Sequence, residues 1–465
     1  VIINNGKWRK WLAAASVAVV FGLLAFDGAA AQKSQKINTS RRVPVRERLV
    51  QRRLPDKVMA VRPPSFQGPK YAQDRVLVKF KPGVTAQSRD VMIRTYNFPS
   101  VRMIPRIEVY RVQVPQGMTV EETLFLLRSN PDVEYAEPVY RVRAFATTPN
   151  DPYFMPYQYN LYNRGIVLDI SPEIQPRTTA GADIKAREAW DITKGKDTVV
   201  IGVLDSGIDM THIELRNKYV SSGYDFINDD SDASDDFWHG TFVAGIAAAE
   251  TNNNQGIAGV AWNAKILPVK VLDAEGNGYY DTLIEGIIWA VDNGAKVLNL
   301  SLGGEEADSS LEAACRYAFE HNVIVAAAAG NEYGPVAYPA AYDNYVLAVG
   351  ATDYDDLVAD FSNTGPQVDV AAPGVLILSC IPQWMAEPGY VPYGFGSGTS
   401  ASAPHVAGFA ALVLSAKPWM AARDLMNLIR FTADDVNSAQ HRGKDDYIGY
   451  GRINMSKALV PYILR

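Results

Sequence analysis

Cysteine is nearly absent: Cys315 and Cys380 are the only two in 465 residues. Two thiols cannot build a disulfide framework, their spacing is not that of a thiolate metal site, and each lies in an apolar run that reads as core. No bridge between them is expected. Histidine is almost as scarce, at five, which narrows imidazole chemistry to a few positions. Beyond residues 12–26 there is no apolar run that approaches the roughly 20 residues of a membrane helix. Positive charge is in deficit, with a net charge of -6. The basic excess that exists is confined to residues 32–70, which hold eleven Lys and Arg against Glu47 and Asp56. Poor in aromatics and rich in Pro, Gln and Ser, that tract reads as a disordered basic linker, not as a nucleic-acid or membrane-surface patch. No nucleic-acid partner is expected.

At the N-terminus, Lys7, Arg9 and Lys10 precede the apolar run, and Ala29, Ala30 and Ala31 follow it. This is the layout of a secretory signal peptide over residues 1–31. The remainder is then expected to be secreted, extracellular or periplasmic, with no stable membrane span once that segment is removed.

The chain is long enough for two or three folding units. Residues 75–80 and 109–114 alternate like half-buried strands and stop near Pro82 and at Pro115, and residues 135–140 form a third such run. Between them, Thr119 with Glu122 three residues on, then Leu124 and Leu127, has the form of a capping-box helix start. Residues 71–146 therefore read as a compact α+β unit with an extended tail. From Asp197 the texture changes. Short β-branched runs at 199–204, 266–271, 297–300 and 323–328 alternate with longer Ala-rich stretches. Over residues 147–465 this predicts an α/β domain with a doubly wound, mostly parallel sheet covered on both faces. Ligands of such sheets gather at the carboxyl ends of the strands.

Three polar motifs interrupt that apolar texture. Residues 203–209 (Val-Leu-Asp-Ser-Gly-Ile-Asp) end a strand, residues 239–245 (His-Gly-Thr-Phe-Val-Ala-Gly) open a helix, and residues 398–405 (Gly-Thr-Ser-Ala-Ser-Ala-Pro-His) open another. A serine hydroxyl is a poor nucleophile near neutral pH and needs an imidazole to take its proton and a carboxylate to fix the imidazole tautomer. Asp205, His239 and Ser400 can fill those roles if the fold unites them. Asn331 follows Ala326–Gly330 at the end of a buried strand, where an unpaired amide is costly; its side-chain N–H is assigned to an oxyanion hole. Singly, each residue could instead be a turn former or helix cap. The other histidines, His212, His321, His405 and His441, read as non-catalytic, His405 as a packed helix residue.

In the order Asp, His, Asn, Ser, these motifs resemble those of the subtilisin family, in particular its thermitase-like branch, from about Thr148 to near the C-terminus. The resemblance implies a subtilisin-like serine endopeptidase working through an acyl-enzyme. It also implies that the α+β unit is a ferredoxin-like inhibitory prodomain, with residues 142–148 as the self-cleavage region. Partners would be protein and peptide substrates and the prodomain itself, with the enzyme a monomer. A substrate cleft is implied between an edge strand at Gly276, Asn277 and Gly278 and a wall at Ser301, Leu302 and Gly303, with Tyr280 capping an apolar subsite. Ala328, Gly330 and Ala337 match the primary specificity pocket, read as apolar and uncharged, which implies a broad preference for large hydrophobic side chains before the scissile bond. Trp238 replaces a family glycine, Phe242 a histidine, and Ala401 the methionine that commonly follows the nucleophile.

Asp225, Asn228, Asp230 and Asp232 space oxygen ligands along a short loop, a pattern that suits calcium, although a solvated acidic loop is the other reading. The resemblance assigns calcium there, and a second calcium to Asp151, Glu214 and Asn253 with the carbonyls of Glu250, Gln255 and Ile257. A pseudo-protease that never releases its prosegment is the alternative function, and intact motifs weigh against it. An α/β-hydrolase esterase is excluded by the order of the triad and the absence of Gly-x-Ser-x-Gly.

Overall fold

The computed structural model describes residues 50–51, 71–140, 147–386 and 388–459. The expected signal peptide, most of the basic tract and residues 142–146 of the expected self-cleavage tail lie outside these. Within the basic tract one element is described, the strand β1 (Val50–Gln51), where a featureless linker was expected.

Residues 71–140 form the expected α+β unit: β2 (Tyr71–Phe80), α1 (Ala86–Thr95), β3 (Val101–Ile104), β4 (Val109–Gln113), α2 (Val120–Ser129) and β5 (Val133–Tyr140). The antiparallel sheet has the order β3-β4-β2-β5, the ferredoxin-like arrangement. Val76, Val78, Val112 and Ala136 meet Leu124 and Leu127 of α2 in its core. The capping box forms as the sequence predicts: the Glu122 amide donates to Thr119 Oγ1 at 3.2 Å and the Thr119 amide to Glu122 Oε2 at 2.8 Å. The strand β3 went unread, because its four residues are mostly exposed and too few to show a period.

The larger region contains α3 (Phe154–Tyr157), α4 (Ala186–Trp190), β6 (Val200–Asp205), β7 (Tyr224–Asp225), α5 (His239–Ala248), β8 (Lys265–Lys270), α6 (Tyr280–Asp292), β9 (Val297–Leu300), α7 (Ser309–Glu320), β10 (Ile324–Ala328), β11 (Val346–Thr352) and β12 (Val368–Pro373). It closes with β13 (Ile377–Cys380), β14 (Tyr393–Gly396), α8 (Thr399–Ala416), α9 (Ala422–Thr432) and α10 (Met455–Leu459). Seven strands pair in the order β12-β11-β10-β9-β6-β8-β7, every pairing parallel. Burial on both faces explains the unbroken apolar runs of its strands. The chain passes from β6 to the edge strand β7, returns to lay β8 between them, and then crosses to lay β9 on the other side of β6. That reversal opens a crevice at the carboxyl end of β6, the strand that ends in Asp205.

The 18-residue α8 is buried over almost its whole length. Its close approach to α5 depends on Gly408, where a Cβ would stand 2.8 Å from Ala247 O. His405, within α8, is fully buried. Its Nδ1 lies 2.8 Å from Ala401 O and its Nε2 2.7 Å from Asn160 Nδ2. Nδ1 therefore donates and Nε2 accepts, which is the neutral ring. Burial drives its pKa down to about 4 against the partial support of the Ala401 carbonyl. Both cysteines are buried and free, as expected.

A folded pKa below the unfolded value means that His405 supports the fold fully above pH 6.5, and that this support is lost as the pH falls toward 4. The loss is on the order of 3 kcal/mol. His405→Gln in a Ser400→Ala background is expected to flatten the fall in Tm between pH 6.5 and 4, measured by calorimetry. An unchanged slope would show that another group carries the acid sensitivity.

Candidate active site

The end of β6 and the starts of α5 and α8 converge at the crevice. Asp205 ends β6 with no exposure, and its Oδ1 lies 2.8 Å and Oδ2 3.0 Å from His239 Nδ1. A buried carboxylate accepting from Nδ1 puts the proton on that nitrogen and leaves Nε2 as the basic atom. Ser400 stands in the first turn of α8, and it and His239 line the same two cavities.

The Asp205–His239 pair is held by groups the sequence reading passed over. Asp235 is buried, with its Oδ2 accepting from the Thr241 amide at 2.9 Å and its Oδ1 from the Trp238 amide at 2.8 Å and the Ser206 hydroxyl at 2.9 Å. That hydroxyl in turn accepts from the Gly240 amide at 2.9 Å. Asp235 thus serves the free N–H groups at the start of α5 from outside the helix and ties them to the residue after Asp205. Gly240 permits this docking, since a Cβ there would stand 1.9 Å from Gly207 O. Lys270, buried at the end of β8, spans the same loop: its Nζ donates to Asp236 Oδ1 at 2.6 Å, Leu272 O at 2.7 Å and Ser206 O at 3.0 Å. An Asp six residues before a Thr in a helix start is a faint signal, and Lys270 had none outside its strand.

Trp238 holds φ at 134°, a region suited to glycine. The conformation costs on the order of 1–3 kcal/mol and is retained with the ring edge-to-face against His239, centroids 5.4 Å apart.

On the opposite side, Asn331 Oδ1 accepts from the Thr399 amide at 2.8 Å and from its hydroxyl at 3.0 Å. An N–H can donate only to the oxygen, so this bond fixes the amide orientation. A Cβ on Gly398 would stand 2.9 Å from Ser400 Oγ and 3.4 Å from Asn331 Nδ2, which places hydroxyl and amide beside one small space. The Ser301 hydroxyl donates to Ser400 O at 2.8 Å and joins the cleft wall to α8.

All ten residues expected in the cleft are gathered here. Gly276, Asn277, Gly278 and Tyr280 line a cavity of about 650 Å³ with Ser301, Leu302, Gly303, His239 and Ser400. Ala328, Gly330 and Ala337 line a second of about 530 Å³ that also reaches Ser400. Two expectations need correction. Gly276–Gly278 forms no strand by itself: Asn277 O accepts from the Asp273 amide at 2.8 Å in a turn where Gly276 has φ 77°. Nor is the second cavity free of charge, because Glu305, Glu306 and Glu332 stand around it. Glu332 Oε2 accepts from the Asn331 amide at 2.8 Å and from Asn363 Nδ2 at 3.2 Å. In sequence these glutamates fall in loops whose side-chain direction has no period to reveal it.

The residues of the two metal expectations stand in different surroundings. In the loop, Asp225 Oδ1 accepts from the Ile227 amide at 2.7 Å and its Oδ2 from Asn228 Nδ2 at 2.8 Å; Asp230 and Asp232 bind amides of their own turns. Among the described residues no group of three or more acidic, histidine or cysteine side chains is placed to hold a metal. The loop carboxylates serve turns. Asp151 and Glu214, by contrast, are both buried. Asp151 accepts from the Asn252 and Asn253 amides at 2.8 and 3.2 Å, and Glu214 from Asn253 Nδ2 and the Tyr393 hydroxyl, both at 2.8 Å. Burial pushes both carboxyls up to about 7 against these hydrogen bonds. Two buried carboxylates without a cationic partner fit a hard divalent cation, with the Asn253 amide free to turn its oxygen inward once its bonds to Glu214 and the Gln255 amide are exchanged.

Comparison with known proteins gives the same frame. The Subtilase family model matches residues 196–451 and the Fervidolysin N-terminal prodomain model residues 61–138. The chain is 41% identical over 390 residues to a thermophilic serine proteinase of Bacillus sp. strain AK1, covering 84% of this chain and 88% of that one. It is 41% identical to thermitase of Thermoactinomyces vulgaris over 67% of this chain and 99% of that one. Among solved structures, a protease from Pseudoalteromonas arctica superposes with TM-score 0.57 at 31% identity, covering 67% of this chain and 99% of that one. Fervidolysin of Fervidobacterium pennivorans, a keratinolytic enzyme related to subtilisin, gives 0.54 at 29% identity, covering 85% of this chain and 62% of that one. With its motifs, its parallel sheet and its prodomain all in agreement, the chain belongs to the subtilase family and is a subtilisin-like serine protease.

Proposed function

We propose that this protease is a secreted, self-processing endopeptidase whose chemistry is carried by Asp205, His239, Ser400 and Asn331. The observation that carries the reading is the buried Asp205 carboxylate 2.8 Å from His239 Nδ1, beside a cleft that both His239 and Ser400 line. As Ser400 Oγ bonds to the scissile carbonyl carbon, its proton passes to His239 Nε2 and the carbonyl electron pair moves onto oxygen. Asp205 stabilises the imidazolium without taking its proton. The oxyanion receives N–H groups from Asn331 Nδ2 and the start of α8. The imidazolium then protonates the leaving amine, and a water activated by the same ring hydrolyses the acyl-enzyme.

Leu302, Ala328, Val336 and Ala337 give the second cavity apolar walls, which supports a broad preference for hydrophobic side chains before the scissile bond. The three glutamates around it add repulsion of Asp and Glu. The prodomain is the intramolecular inhibitor, and processing in the segment before Pro149 separates it from the peptidase, which acts as a monomer. Asp151, Glu214 and Asn253, with the carbonyls of Glu250, Gln255 and Ile257, would hold one calcium. The ion would supply the positive charge that two buried carboxylates lack and so stabilise the native state. No membrane-spanning helix occurs among the described residues.

Ser400→Ala should leave the chain at full length and inert toward casein, whereas the unmodified chain shortens and digests it. Asn331→Ala should process slowly, with kcat lowered by roughly 10²–10³, the size of effect known for an oxyanion-hole amide in subtilisin itself. An unmodified chain that stays intact and inert like the Ser400→Ala form would remove the catalytic reading. Chelation by excess EDTA should lower Tm, with recovery on adding calcium but not potassium; a Tm indifferent to EDTA would remove the metal.

A further inference from the structure

Val50 and Gln51 lie in the basic tract upstream of the prodomain, where neither the prodomain nor the peptidase calls for an ordered element. They nonetheless pair with β14 in antiparallel register, Val50 opposite Phe395 and Gln51 opposite Gly394. The other edge of β14 is occupied by β13, from Ile377 opposite Gly396 to Cys380 opposite Tyr393. The short strand β1 thus completes a three-stranded sheet and covers main-chain groups that would otherwise form an open edge.

That edge is next to the chemistry. Gly396, the last residue of β14, lines the larger cavity together with Ser397 and Ser400, and the chain reaches Ser400 four residues on. Because β14 runs toward Ser400 and β1 is antiparallel to it, β1 runs away from the serine. A peptide cut at Ser400, if its leaving portion stayed extended past Gly396, would meet the same edge.

We propose that the outer edge of β14 is a strand-addition site on the leaving-group side of the cleft, and that the chain's own segment at Val50–Gln51 is its resident ligand. This makes a second intramolecular occupant of the enzyme, separate from the prodomain and recognised through main-chain hydrogen bonds, not side chains. The occupancy stands independently of the catalytic assignment; only its effect on substrates rests on Ser400 as the nucleophile.

The test uses the full chain carrying Ser400→Ala, which blocks self-cleavage. Amide hydrogen exchange at Phe395, whose main chain faces β1 while that of Gly394 faces β13, should quicken about tenfold or more when Val50→Pro and Gln51→Pro together remove the amides of β1. The double variant Val50→Ala, Gln51→Ala, which keeps those amides, should exchange like its parent. Unchanged exchange in the proline variant overturns the site, and quickening by both pairs overturns main-chain recognition. Separately, a synthetic peptide of residues 45–55 added to the processed, active enzyme should slow cleavage of peptides that extend four or more residues beyond the scissile bond. It should leave short chromogenic anilides unaffected. Equal inhibition of both, or of neither, overturns the placement on the leaving side. An enzyme without activity on any substrate would instead count against the proposed function and leave the exchange result standing.

Discussion

The interaction on which the rest depends is the hydrogen bond from His239 Nδ1 to a fully buried Asp205 carboxylate at 2.8 Å. A buried carboxylate is tolerated only when its oxygens are satisfied, and here His239 and the Ser206 amide supply the donors. The bond joins the end of one strand to the first residue of a helix 34 positions later, so the docking of α5 onto β6 and the orientation of the imidazole are one event. Asp235, Ser206, Gly240 and Lys270 make that docking tight. Each of the four holds the loop between Asp205 and His239 in one conformation.

The same constraint explains where the molecule accepts strain and where it omits side chains. Trp238 keeps a glycine-like φ of 134° between the Asp235 carboxylate and His239. Gly240 and Gly398 sit where any Cβ would strike Gly207 O or the Ser400 hydroxyl. The cleft is therefore built mostly from backbone, with the chemistry concentrated in a few side chains at strand and helix ends, as the crevice of a doubly wound sheet favours. A backbone edge beside such a cleft invites a strand, and the outer edge of β14 is taken by β1.

Much of this was legible in the sequence because the signals were local. The runs that became β6, β8, β9 and β10 were found within a residue of their true bounds, and Thr119 with Glu122 announced α2 correctly. The four proposed catalytic residues lay in motifs whose order identified the family. What was missed depended on tertiary direction. Asp235 and Lys270 act across loops, Glu305, Glu306 and Glu332 turn toward a pocket that the sequence suggested was uncharged, and β1 draws its partner from residues more than three hundred positions away. The spacing of Asp225, Asp230 and Asp232 suited a cation, and in the fold the same carboxylates also accept amides of their own turns. Spacing shows which residues can meet, and the backbone decides which do.

The central claim is that Ser400 is the nucleophile and that His239, held by Asp205, makes it so. Reaction of the processed enzyme with an aryl sulfonyl fluoride, followed by peptide mapping, tests it most directly. A single adduct on Ser400 is predicted, formed in step with loss of activity and nearly absent in His239→Ala. An adduct on another serine, or full inactivation with Ser400 unmodified, would contradict the account.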